Sequence, residues 1–115
     1  MAILSKYESF NVIGGIDYIS FACGDEDEMW VEAIQLMKDD SLPSGETLWC
    51  VGNVRIPREE IDRFAVAPET DDDYYSTQGW SVACETFDEM IDELRECNFE
   101  EFDEMEECAR EFFGV

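Results

Sequence analysis

An excess of acidic side chains limits the folds open to this chain more than any other feature of its sequence. Thirty Asp and Glu residues stand against seven Lys and Arg in 115 residues, which gives a formal net charge of -23. Self-repulsion of this size opposes a compact state. Hydrophobic residues nevertheless make up 45% of the chain and aromatics 13%, which is too much for a disordered acidic tail. We therefore expect one folded domain over residues 1–115, with its acids at the surface.

The charge also limits the partners of the chain. Small soluble domains need a net charge of magnitude only about 2–8, so solubility does not explain the excess. Direct nucleic-acid binding is disfavoured because it needs a basic patch to neutralise phosphates. An anionic membrane surface is disfavoured for the same reason, and no apolar run reaches the ~18 residues of a membrane span. The expected partner is a basic DNA-binding protein or ribonucleoprotein.

The residues on which most enzymes depend are scarce. The chain has no His, which removes the commonest general base and the commonest metal ligand. It has no Gly-rich phosphate loop and no calcium loop. With thirty acids, a pair of carboxylates at some suitable distance carries almost no information about glycoside hydrolysis. The sequence predicts a protein that is not an enzyme and that needs no cofactor or metal.

The cysteines bear on the cellular compartment. Their number is odd, no two form a C-x-x-C pair, and none has zinc-ligand spacing. The first residues lack the apolar core of a signal peptide. We expect a cytoplasmic protein with reduced, mostly buried thiols. The five are Cys23, Cys50, Cys84, Cys97 and Cys108.

The predicted fold class is α+β, with a small antiparallel sheet of three to four strands packed with two to four helices. Alternating apolar residues on both sides of Gly14-Gly15 predict a hairpin with a two-residue turn. Residues 47–54 and 79–84 predict further strands. Residues 69–78 are predicted to form a polar acidic loop.

Helical patterns occur in three regions. Apolar residues at helical spacing from 29 to 37 predict a helix after the acidic run 25–28. A short helix with Pro57 in its first turn is expected to end before Pro68. The last third of the chain is predicted to be helical, beginning at a capping box formed by Thr86 with the Glu three residues later.

The phase of the apolar stripe in this last third changes at Asn98. The stripe runs through residues 87–94 and again through 99–113. Asn98 also has the spacing of an N-cap residue, with a Glu three positions on. Two helices that meet at Asn98 are therefore favoured over one continuous helix.

Carboxylates flank this stripe three or four residues apart, which places their Cβ atoms roughly 5–6 Å from one another on a helix. An ordinary solvated helix would intersperse Lys, but none follows Lys38. Duplex DNA carries a charge about every 1.7 Å along its axis, a density that acidic helices with a rise of about 1.5 Å per residue can approach. The candidate partner-binding residues are Asp88, Glu89, Asp92, Glu93, Glu96, Glu100, Asp103, Glu104, Glu107, Glu111, Asp25, Glu26, Asp27, Glu28, Asp71, Asp72 and Asp73.

Simpler interpretations exist for each acidic segment. The acidic run 25–28 is also typical of the negative charge that stabilises a helix N-terminus. Residues 71–73 are typical of a solvated loop. The C-terminal acids are compatible with a solvated face or with adaptation to high salt, although neither explains why Lys is missing from the last two-thirds of the chain.

In its length, its lack of His and its acid runs at 25–28 and 89–111, the chain resembles the small acidic DNA-mimic inhibitors of phages and mobile elements, and is most similar to type I-F anti-CRISPR proteins. The resemblance is one of character over the whole chain. It implies an inhibitor that acts in the cytoplasm of a bacterial host cell. The inhibitor would occupy the DNA-recognition channel of the crRNA-guided Csy surveillance complex and block target DNA binding.

Three other functions stay open. An antirestriction-type DNA mimic would use the same surface on a different host protein. An acidic binding module or adaptor would bind a basic partner without excluding DNA. A metal-assisted enzyme would use clustered carboxylates.

Overall fold

A computed structural model describes residues 2–12, 14–25, 27–60 and 80–115. Within these ranges the strands form one antiparallel sheet in the order β1-β2-β3-β4-β5, and two helices follow. The strands are β1 (Ala2–Val12), β2 (Ile16–Gly24), β3 (Trp30–Asp39), β4 (Leu48–Pro57) and β5 (Trp80–Cys84), and the helices are α1 (Phe87–Glu96) and α2 (Phe102–Phe113). No helix in the described part of the chain is both long enough and apolar enough to cross a membrane.

The sheet is larger than the sequence predicted. The chain is α+β and its C-terminal third is helical, but the described residues alone contain five strands. The prediction of a small sheet of three to four strands is therefore wrong. The main source of the error is the segment from 29 to 37, which was expected to be a helix and is the central strand β3.

The misleading pattern in β3 arises because both of its faces are buried. Its polar residues Glu32, Gln35 and Lys38 recur every third position and so imitate a helical period. A strand buried on both faces has no simple alternation of apolar and polar residues. Two of the three have polar partners: the Gln35 amide donates to the Tyr18 hydroxyl at 3.1 Å, and the Lys38 ammonium lies 3.7 Å from the Asp40 carboxylate.

The three other predicted strand regions are confirmed. Gly14 and Gly15 both have positive φ, 62° and 104°, in the connection between β1 and β2. Since Val12 pairs with Ile16, this connection has three residues rather than the predicted two. The regions 47–54 and 79–84 correspond to β4 and β5.

The predicted helix at Pro57 differs from what is observed. Pro57 is the last residue of β4, and a single 3₁₀ turn, Arg58–Glu60, follows it. The remainder of that prediction, up to Pro68, lies outside the described residues, as does the predicted acidic loop 69–78.

Two helices occur in the C-terminal third, as favoured. Thr86 caps α1, because its hydroxyl accepts a hydrogen bond from the Glu89 amide at 3.1 Å. The expected N-cap role of Asn98 is wrong: α2 begins three residues later, after Glu101. Asn98 instead adopts φ 57°, a left-handed conformation that Asn tolerates better than most residues. It separates the two helices.

The helices cover one face of the sheet. α1 packs over β4 and β5, and α2 packs over β2. The apolar positions of both helices meet the sheet in one buried cluster, which includes Phe21, Ile34, Met90, Leu94 and Met105. Trp49 of β4 makes edge contacts with Phe87 and Phe113, with ring centroids 5.4 and 5.2 Å apart. The sheet therefore holds the two helices side by side, with their polar faces outward.

The cap at Thr86 gives a test of how α1 is anchored. Thr86→Ala should lower the free energy of unfolding by about 1 kcal/mol, because the Glu89 amide loses its acceptor. Thr86→Ser keeps the hydroxyl and should stay close to the parent. Urea denaturation followed by circular dichroism measures both, and an alanine variant as stable as the serine variant would contradict the cap.

Candidate functional site: a carboxylate helix hairpin

The helix hairpin consists of α1, α2 and residues 97–101 that join them. Its inner side chains are buried against the sheet, so the outward positions fall to the acidic residues. Nine of these carboxylate side chains are exposed, and Glu93 and Glu106 are half-buried. The full outward set is Asp88, Glu89, Asp92, Glu93, Glu96, Glu100, Asp103, Glu104, Glu106, Glu107 and Glu111.

All ten hairpin residues predicted as partner-binding belong to this outward set. Asp25, Asp27 and Glu28 lie exposed in the loop between β2 and β3. Glu26 and Asp71, Asp72 and Asp73 fall outside the described residues. Because β3 follows the loop, the interpretation of residues 25–28 as helix N-terminal charge is wrong.

Two arginines join the helices to each other. Arg95 of α1 donates to Asp92 at 2.7 Å, and its second terminal nitrogen lies 3.8 Å from Glu106 of α2. Arg110 of α2 donates through Nε to Glu106 at 3.0 Å and lies 3.8 Å from Asp88 of α1. The only two cations of the hairpin are thus engaged in holding it together.

The same guanidiniums also pack on aromatic rings. Arg95 lies 5.0 Å from the ring centroid of Phe102, and Arg110 lies 5.0 Å from that of Phe87. Cation–π contact of this kind adds roughly 0.5–1 kcal/mol at exposed sites. Each arginine is therefore fixed from two sides and is poorly placed to neutralise the outer carboxylates.

Most of the outward acids have no cation nearby. Among the residues described, no Lys or Arg lies within 4.0 Å of seven of them. Several of these stand four apart on one helix, a spacing at which like charges repel. The seven are Glu89, Glu93, Glu96, Asp103, Glu104, Glu107 and Glu111. The outer face of the hairpin is consequently a strongly negative surface.

The junction end of the hairpin lies over the same end of the sheet as the acidic loop. Burial raises the pKa of the Cys23 thiol to about 12, and the carboxylates of Glu101, Glu104 and Glu32 add to the rise. Burial likewise raises the pKa of Cys97, with Glu93, Glu96 and Glu32 contributing. Cys23 is one residue from the end of β2, so the acidic β2–β3 loop begins near the junction end of the hairpin.

The five thiols are all buried or half-buried, and their pKa values are raised. Burial is the leading cause of a raised pKa at every cysteine, and it brings the pKa of Cys50 to about 11. A raised pKa keeps a thiol protonated and therefore unreactive. The described residues also contain no group of three or more side chains suited to hold a metal ion.

Comparison with protein-family models, curated proteins and solved structures finds no match. The argument for function therefore depends on the surface itself.

Three acids of this region were missing from the predicted set. Glu32 was placed in a helix that does not form, so its position at the junction end could not be anticipated. Glu106 was omitted although both arginines form ion pairs with it. Glu101 precedes α2 and is buried at 7% exposure. The i, i+4 spacing of Glu106 and Arg110 was the one available signal for any of the three.

Glu101 is an unusual carboxylate because it is buried without support. Within the described part of the chain, neither of its oxygens has a hydrogen-bond partner. A buried polar group left without a partner costs about 1–3 kcal/mol, and more when it is charged. Its burial at the junction therefore lowers the stability of the fold.

Glu101→Gln should raise the free energy of unfolding by about 1–3 kcal/mol, since a neutral amide costs less to bury than a carboxylate that has no partner among the described residues. Glu104→Gln, which removes one charge from the exposed surface of α2, controls for net charge and should change stability by less than about 0.5 kcal/mol. Chemical denaturation measures both. A destabilised Glu101→Gln variant would mean that the carboxylate is paired in solution.

Proposed function

We propose that this protein is a DNA-mimic inhibitor, whose helix hairpin occupies the DNA-binding groove of a basic, nucleic-acid-handling partner. The observation that carries the proposal is the charge density of the outer hairpin surface. It combines carboxylates that lack cations with two arginines that are committed to the joint between the helices.

The charge density of the outer hairpin surface can be compared directly with that of duplex DNA. The eleven outward carboxylates, less the two guanidiniums, leave nine negative charges on the hairpin. The longer helix has 12 residues, so it is about 18 Å long. Duplex DNA of that length carries about 11 phosphate charges. The hairpin therefore presents nearly the charge of an equal length of duplex.

A groove built for phosphates can accept these carboxylates for chemical reasons. Arg and Lys form short charge-assisted hydrogen bonds with either anion, and Arg can bind both in a bidentate manner. Contacts to phosphates carry no base sequence, so the mimic needs no sequence of its own to match. A field of this size also steers a cationic partner and accelerates association at low salt.

We further propose the type I-F crRNA-guided surveillance complex of a bacterial host as the first target to test. This choice depends on the resemblance in size and acidity to anti-CRISPR proteins of that type. The hairpin itself supports the wider class, a partner with a lysine- and arginine-lined DNA channel. A restriction enzyme inhibited by an antirestriction protein belongs to the same class.

Competition with duplex DNA tests the proposal. Pre-incubation of the target complex with this protein should abolish target DNA binding in a filter or gel-shift assay, and excess duplex should in turn displace the protein. Simultaneous binding of both would favour an adaptor that does not exclude DNA. If the surveillance complex is unaffected, a panel of other DNA-binding proteins tests the class, and an unaffected panel would contradict it.

Charge reversal localises the surface. Glu104→Lys with Glu107→Lys should weaken inhibition by at least tenfold, because each reversal replaces an attraction by a repulsion in the groove. The matched control compares single reversals: Glu104→Lys should weaken inhibition far more than Glu46→Lys, which makes the same change in net charge in the exposed loop between β3 and β4. Circular dichroism checks that both variants fold. Equal losses in the two would show that only the total charge matters.

A further inference from the structure

A cleft of about 560 Å³ lies between the β2–β3 loop and the end of β4. Its walls include Asp27, Glu28 and Glu59, the cation Arg58, and the apolar residues Met29, Trp30 and Pro57. None of these lining residues belongs to either helix of the hairpin.

Two large apolar side chains are exposed in this cleft. Met29 is 80% exposed and Trp30 is 46% exposed, and they are consecutive in the sequence. Scattered single apolar residues on a surface are ordinary. An adjacent Met and Trp on the wall of a concave site are typical of a protein contact, since aromatic residues and Met are enriched where partners bind.

Arg58 binds the loop that carries Met29 at three points. Arg58 donates through Nε to the carbonyl of Glu28 at 2.7 Å and through Nη2 to the carbonyl of Asp25. Its backbone amide donates to the carbonyl of Met29 at 2.8 Å. A site fixed in this way loses less entropy on binding than a mobile loop would.

The rim of the cleft is negative. Asp27, Glu28 and Glu59 are exposed, and among the described side chains none of them forms an ion pair with Lys or Arg. The Arg58 guanidinium donates hydrogen bonds to backbone carbonyls rather than to these carboxylates. The Trp30 ring already lies under a guanidinium, that of Arg55, at 5.4 Å.

We propose that this cleft binds an arginine-bearing segment of a protein partner, with an apolar side chain beside the arginine. Charge complementarity favours this occupant. A guanidinium pairs with the rim carboxylates, while the neighbouring apolar side chain covers Met29. A lysine would satisfy the charge but lacks the planar group that binds a carboxylate through two hydrogen bonds.

The cleft adds selectivity for one partner, which carboxylates alone do not supply. Phosphate-like contacts allow any cationic groove to bind, whereas an apolar contact beside them selects a particular protein surface. That the occupant belongs to the same partner as the hairpin rests on the proposed function. The binding of an arginine-bearing segment to the cleft does not.

The test uses the full chain and a defined probe, a synthetic hexapeptide of alternating leucine and arginine. Nuclear magnetic resonance follows the Met29 methyl and Trp30 indole signals during titration at low salt and at about 0.5 M salt, where long-range attraction is screened. A hexapeptide with glutamine in place of arginine and hexalysine are the peptide controls.

The proposal predicts saturable shifts of both signals that persist at high salt, and weaker binding of both control peptides. Met29→Gln should weaken binding of the arginine peptide about tenfold. Val115→Gln, which changes another exposed apolar residue, should leave it unaltered. Met29 lies in a loop and is largely exposed, so its replacement leaves the fold intact.

Three outcomes would each contradict the proposal that the cleft binds an arginine-bearing segment. They are shifts confined to residues 85–111, binding lost entirely at high salt, and a Met29→Gln variant that binds as tightly as the parent. These outcomes leave DNA competition by the hairpin untouched. Conversely, a protein that fails to exclude DNA but binds the arginine peptide in the cleft would contradict the proposed function alone.

Discussion

The structure depends on apolar packing that holds mutually repelling carboxylates in place. Met90, Leu94 and Met105 are fully buried between the helices and the sheet, and burying a side chain of this size contributes roughly 1.5–3 kcal/mol. A like-charge pair four apart on a helix costs only about 0.2–0.5 kcal/mol. Each buried side chain of this kind therefore offsets several such pairs, which helps a chain with a net charge of -23 to fold.

The use of the two arginines connects this packing to function. Had Arg95 and Arg110 stood among the outer acids, they would have diluted the negative surface. Instead each spans the joint between α1 and α2 through Asp88, Asp92 or Glu106. The cations thus fix the spacing of two acidic helices, and most of the outward carboxylates have no other cation nearby among the described residues. This division of roles gives an anionic surface, on which the proposed mimicry of duplex DNA depends.

The parts of the fold that follow local rules were predictable, and those decided by the sheet were not. The cap at Thr86 and the separation of two helices near Asn98 follow from local signals. The identity of β3 does not, because a strand buried on both faces loses its alternation, and polar residues at every third position imitate a helix. That error also hid Glu32 at the junction end. The outward acids of the hairpin were predictable because helix positions outside an apolar stripe face the solvent.

If electrostatic repulsion is concentrated on the hairpin, the stability of the protein must increase with salt. Melting temperature should be measured from about 0.02 to 0.5 M sodium chloride, where the screening length falls severalfold. The parent protein should gain several degrees. A variant with Glu96, Glu104, Glu107 and Glu111 changed to Gln should melt higher at low salt and lose most of that gain. A parent whose melting temperature does not respond to salt, or a variant that responds as strongly as the parent, would contradict a concentrated anionic surface.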